Sequence, residues 1–258
     1  VIAGQFSGMQ RPELVLPFVL DKNAAKAALK KYYRGKRFLP NAFSSQNHIE
    51  EIKGVYVPFW MYDGEASGSA EFHATTVHKY TSGDYEVTEI SHYDVRRAGS
   101  ISFEKIPVDA SSKMPDDYMD SIEPFNYADL KPFSTAYLPG FLADKYDVSV
   151  EDSRERADKR CAGSLVSALE RTVSGYTSCD ETSRDIHLKR GKVHYALLPV
   201  WILNTRWEGK DFLFAMNGQT GKLVGKLPVS TKRVVGLFAA IAALLIAISV
   251  TALLLLVR

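Results

Sequence analysis

Apolar and polar positions along this 258-residue chain fall into three regimes. In the first, Leu14 to Leu20 forms a short apolar strand broken by Pro17, and Asp21 follows as a helix-capping side chain. Ala25, Ala28, Leu29, Tyr32 and Tyr33 then supply the apolar side of a helix running through Arg34 that Gly35 ends. From Val55 the pattern becomes β. VYVPFWMYDG is followed by the small residues of GEASGSAEFHATTVH, TSGD at 81–84 predicts a hairpin turn into YEVTEISHYDV, and AGSISFEKIPV predicts one more strand. This is a meander. Residues 110–133 then lose all periodicity, with three prolines and five acids, at Asp116, Asp117, Asp120, Glu123 and Asp129. A loop of that length is more often functional than idle. Tyr118, Met119 and Phe125 set among the acids predict a partner-binding surface; the competing reading is a strap that seals the meander's edge.

A charged helix start at Ser149 predicts a second helix to about Val173, with Val150, Ala157, Cys161, Leu165, Leu169 and Val173 as its buried side. Strand signals return in RDIHLK, KVHYALLPVWILNTRW, DFLFAM and LVGKLPV. The turns between the last of them are EGK and NGQTGK, where Gly218 and Gly221 offer positive φ. The order strand, helix, meander occurs twice, since LPFVLDK leads to YVPFWMYDG and LPGFLADK leads to LLPVWILNT, which aligns Trp60 with Trp201. The fold class is therefore α+β: antiparallel meanders with packed helices, read as two related halves over 1–133 and 134–230. Both tryptophans are expected to be buried.

The third regime is one apolar block. Val234 to Val257 has no charge and no Pro, and its 24 residues would span roughly 36 Å as a helix, enough to cross a bilayer. Lys222, Lys226, Lys232 and Arg233 precede it and only Arg258 follows, so the positive-inside rule places the soluble part in the cytoplasm of a single-pass membrane protein. The same four cations are candidate contacts for lipid headgroups. Residues 231–258 form this basic flank and helix. Seven Lys or Arg and no acid between Lys22 and Arg37 offer a further anionic-lipid or phosphate surface, against the plainer reading of a solvated helix face. The chain begins at Val1 with no signal-peptide pattern, and an earlier segment is expected to have been lost.

Composition narrows the classes. A formal charge of +2 argues against a dedicated nucleic-acid binder, and 46% apolar residues exclude a disordered chain. Cys161 and Cys179 form no CxxC and no disulfide framework. The histidines His48, His73, His78, His92, His187 and His194 make no HExxH or His-x-His pair, and no GxSxG, P-loop or GxGxxG occurs. Asp116, Asp117 and Asp120 lack the glycine-turn spacing of a calcium loop, so a solvated or partner-facing acidic loop is the favoured reading. No catalytic residue and no metal ligand is expected in this chain.

The runs VIAGQFSGMQRPELVLPF, AAKAALKKYYRGKRFLP, NHIEEIKGVYVPFW, SSKMPDDYMDSIEPF and YALLPVWILNTRWEGKDFLFAMNGQTGK resemble a family of bacterial membrane proteins labelled TFIIB-type zinc-ribbon proteins, sometimes mislabelled as primosomal replication proteins. The resemblance covers Val1 to about Val229. It implies a zinc ribbon with two CxxC pairs ahead of Val1, so any zinc cofactor lies outside this chain. It also implies genomic neighbours of the SPFH, TPM-domain and PspA-like types. The function it implies is a non-enzymatic membrane scaffold that recruits flotillin-like SPFH or TPM-domain membrane proteins, alone or as a homo- or hetero-oligomer. Nucleic-acid binding through the ribbon is the alternative.

Overall fold

The computed structural model of the chain describes residues 10–40, 43, 49 and 51–256. Val1–Met9, His48 and Val257, which enter the readings above, lie outside the described residues. Strands and helices follow in the order β1 (Leu14–Val15), α1 (Lys22–Tyr33), β2 (Lys53–Ser82), β3 (Tyr85–Asp109), α2 (Asp116–Ser121), β4 (Lys131–Pro132), β5 (Leu142–Ala143), α3 (Val150–Glu170), β6 (Ser178–Trp207), β7 (Lys210–Asn217), β8 (Leu223–Gly225) and α4 (Thr231–Leu256). The fold is α+β, with one mixed, mostly antiparallel sheet in the order β3-β2-β6-β1-β4. Among the described residues, only the short β1 and β5 pair in parallel, with β6 and β2 respectively.

Strands β2 and β6 are each 30 residues and β3 is 25, several times the usual strand length. The small-residue stretches that read as strand ends are crossed without a break. The reason lies in the glycines. At the register shift between Tyr62 and Gly64, β2 and β6 approach so closely that a Cβ on Gly64 would sit 2.9 Å from the Lys189 carbonyl oxygen. A Cβ on Gly191 would meet the Asp63 carbonyl at the same distance. Glycine here permits close backbone approach and coiling of a continuous ladder rather than ending it. Gly68 is the extreme case: its φ is +153°, and a Cβ would lie 2.0 Å from the Asp185 oxygen. Gly68→Ala is expected to part β2 from β6 locally, seen as faster amide hydrogen exchange over 66–72 and 183–188, with the strands' base still protected.

The base of the sheet is built from matched contacts. The indole N–H of Trp60 donates to the Val148 carbonyl (2.9 Å) and that of Trp201 to the Leu20 carbonyl (3.0 Å). The Ala110 amide donates to the Pro58 carbonyl and the Gly218 amide to the Pro199 carbonyl. The Ala110 carbonyl accepts from Asp147 and Val148, and the Gly218 carbonyl from Val19 and Leu20. Asp21 and Ser149 cap α1 and α3, accepting from the third residue on in each case. Both tryptophans are buried, 2% and 4% exposed, as the sequence predicts. Strands from both sides of residue 133 share this sheet and its core, since β2 pairs with β6 along most of its length.

Beyond the base, β2, β3 and β6 continue as a three-stranded arm. Ala66, Ala70, Phe72, Ala74 and Val95 of the arm bury Leu165, Val166 and Leu169 of α3, whose last turn ends at Glu170 rather than near Val173. At about 3.3 Å per residue, β2 measures at most about 100 Å along its own path. β6 stops pairing at Thr75, so the β2–β3 hairpin runs on alone to the turn at Gly83, where φ is +61°. At the other end of the chain, α4 is exposed along its length, has a mean hydropathy of 2.7, and is long and apolar enough to cross a membrane.

Candidate functional site

The sequence predicts a partner surface on Asp116, Asp117, Tyr118, Met119 and Phe125, and the structure corrects this for the three apolar residues, while Asp116 and Asp117 are exposed. Tyr118, Met119 and Phe125 are 7%, 0% and 5% exposed and pack against Leu16, Phe59 and Met61. They belong to the core, so they offer no surface to a partner. Residues 110–133 form the strap instead, with α2 packed on the core and β4 added to the edge of the sheet beside β1.

The acids of the strap are held from α3. The Arg156 guanidinium lies 2.9 Å from both Asp109 and Asp116 and 3.2 Å from Asp120. Arg160 makes a bidentate pair with Glu123 and donates to the Pro107 carbonyl. A planar fork suits this clustering of carboxylates. Burial outweighs the pull of Arg156 and pushes the Asp109 carboxyl up to about 6, and burial raises Glu123 as well. Asp117 is exposed on the first turn of α2. The network joins the strap to α3 through ion pairs.

A small cleft opens at the Tyr62/Gly64 bulge, about 60 Å³, between α3 and the sheet. Arg190 pairs with Asp158 there at 2.7 Å, and Cys161 is half-buried at its edge rather than in the core. Burial, helped by Asp158, pushes the Cys161 thiol up, which makes it a poor nucleophile at neutral pH. The cleft has room for water rather than for a metabolite.

The arm brings together residues that linear spacing hides. His73 Nε2 and His92 Nδ1 are 3.0 Å apart with stacked rings, and Asp94 lies 3.4 Å from His73 Nδ1. Cross-strand register makes this pair, so no local motif announces it. Among the described residues no group of three His, Cys, Asp or Glu is disposed to hold a metal ion. On the hairpin, Val77, Tyr80, Tyr85, Ile90 and Tyr93 are 38–77% exposed, Val77 and Ile90 on one face and the three tyrosines on the other, where the Tyr93 ring also lies 5.2 Å from that of Tyr176. Val77 and Ile90 are direct cross-strand partners. Large apolar side chains on a two-stranded ribbon have no core to enter, and such clusters mark contact surfaces.

Of the four flank cations, two are engaged within the protein. Lys222 donates to the Glu123 carbonyl, and Arg233 donates to the carbonyls of Arg37 (3.2 Å) and Leu39 (2.7 Å). Lys226 and Lys232 are exposed. The molecule thus has a strapped sheet at its base, an arm with an apolar tip, and a helix able to cross a membrane. Over 242 residues, 94% of this chain and 71% of the relative, it is 40% identical to the uncharacterized protein YdjG of Bacillus subtilis (strain 168). The chain belongs to the family of that protein. No family model and no solved structure matches it.

Proposed function

We propose that this chain is a non-enzymatic, single-pass membrane adaptor that binds partner proteins through the tip of its β arm. The exposed rings of Tyr80 and Tyr85, which share one face of the hairpin beyond the last β6 pairing at Thr75, carry this reading, because the contacts of α3 end before them. Aromatic side chains ringed by charges such as Lys79, Asp84, Glu86 and Glu89 are the usual composition of a recognition surface. The resemblance to zinc-ribbon membrane proteins favours SPFH-type, flotillin-like or TPM-domain proteins as the partners and the cytoplasm as the domain's side. The matched contacts of Trp60 and Trp201 support a reading of the base as two related halves, each donating its short first strand to the other's long one.

The test is gentle detergent extraction of the full-length protein from native membranes, followed by identification of what stays bound. Tyr80→Ser combined with Tyr85→Ser is expected to lose the partner while leaving the thermal midpoint within the range of ordinary surface substitutions. Equal retention by the variant would overturn the tip as the binding surface. Protease access only from outside intact cells would overturn the cytoplasmic side.

A further inference from the structure

The segment after α1 is fastened to the start of α4. The Ser230 amide donates to the Phe38 carbonyl at 2.8 Å, Arg233 clamps the carbonyls of Arg37 and Leu39, and the Tyr32 hydroxyl donates to the Gly225 carbonyl at 2.7 Å. These bonds hold residues 34–40 beside the point where the apolar helix begins. A groove of about 400 Å³ lies there, lined by Lys36, Arg37, Phe38, Leu39, Leu227 and Val229. Phe38 and Val229 are 36% and 63% exposed and give the groove an apolar side open to its surroundings. Around them Lys30, Lys31, Arg34, Lys36 and Arg37 are all exposed, and this neighbourhood includes no carboxylate nearer in sequence than Asp21 or Glu51 among the described residues.

With α4 read as crossing the bilayer, depth follows from arithmetic. Val234 is four residues beyond Ser230, so at about 1.5 Å per residue the groove lies roughly 6 Å above the first apolar turn. That is headgroup depth, where amphipathic surfaces bury an apolar face by about 5–10 Å and cations meet phosphates. We infer that this groove is a binding site for one anionic phospholipid, its acyl chain against Phe38, Leu227 and Val229 and its phosphate against Lys36 and Arg37. The site differs from a diffuse basic flank, because Lys222 and Arg233 are engaged within the protein and the contacting cations come instead from the end of α1, more than 190 residues away in sequence. Arg233 acts as a positioning residue that fixes the loop carrying them.

The full-length protein in a mild detergent micelle, titrated with phosphatidylglycerol or phosphatidylcholine and read by native mass spectrometry, tests this directly. One phosphatidylglycerol per chain is expected, retained roughly thirtyfold better than phosphatidylcholine, as two surface cations would give. Lys36→Gln with Arg37→Gln is expected to equalise the two lipids, and Phe38→Ser with Val229→Ser to weaken both, with unchanged thermal midpoints. Water-soluble glycerol phosphate is expected not to displace the lipid. Equal retention of the two lipids by the unaltered protein, full displacement by glycerol phosphate, or wild-type selectivity in the Lys36/Arg37 variant would each overturn the site.

Discussion

Trp60→Ala is expected to lower the unfolding free energy by about 3–5 kcal/mol, read from urea unfolding of the full-length protein in detergent. The indole is 2% exposed and fills the space among Tyr146, Tyr195 and Val108, with ring centroids 5.0 Å from Tyr146 and 5.2 Å from Tyr195. Its N–H also satisfies the Val148 carbonyl, which joins the β5–α3 connection to the central strand. Truncation therefore leaves a cavity and removes a hydrogen bond in one step. Trp201→Ala is expected to cost a similar amount, since Trp201 does for the β1–α1 connection what Trp60 does for the other. Trp60→Phe keeps most of the apolar contact and should cost less than half as much. A loss under about 1 kcal/mol for Trp60→Ala would show that the indole does not anchor the base.

What was legible in the sequence was what local chemistry decides. Asp21 caps α1 through a 2.7 Å bond to the Ala24 amide, Ser149 caps α3, and Gly35 and Gly83 take positive φ at the ends where turns were expected. The apolar block after Val234 needs only length and composition to be recognised. The continuity of β2, β3 and β6 was not legible, because a glycine that lets two backbones touch looks in sequence like a glycine that ends a strand. Gly218 shows the same ambiguity. The turn pattern predicts positive φ there, but a Cβ on Gly218 would lie 2.7 Å from the Phe18 ring, and Gly221 is the one at +78°.

The site was harder, and for a physical reason. Residues 110–133 mix aromatic rings with acids, a composition shared by recognition loops and by straps that are apolar below and ionic above. Arg156 and Arg160 decide between the two. They lie on α3, some 35 residues downstream, and only the fold shows that they face Asp109, Asp116, Asp120 and Glu123. The tip residues read simply as strand positions, because the alternation from Val77 to Ile90 is the same whether or not a third strand covers them. That β6 stops at Thr75 is a matter of non-local register.

Asp109→Asn is expected to change how stability depends on pH, which a purely steric role for this residue would not do. The carboxyl is 1% exposed and held at about 6, against 3.8 for an unperturbed aspartate, with burial as the main cause. Between these values the folded chain binds more protons than the unfolded one, so stability falls as pH rises from about 4 to 6 and the loss from this group levels off above that. The span corresponds to about 3 kcal/mol. Glu123, also raised by burial, adds to the same trend in both proteins and cancels in the difference. Part of that span lies below pH 4, so the variant's stability relative to the wild type should climb by about 2 kcal/mol between pH 4 and pH 7. The attraction of Arg156 for the ionised carboxylate is already contained in the raised value of about 6 and adds no separate pH dependence. The matched position in the other part of the sheet already carries the amide: Asn217 is fully buried and donates to the Ile122 and Pro124 carbonyls. Urea midpoints of the two proteins at half-unit pH steps give the answer, and parallel curves across the whole range would mean that folding does not raise the Asp109 carboxyl.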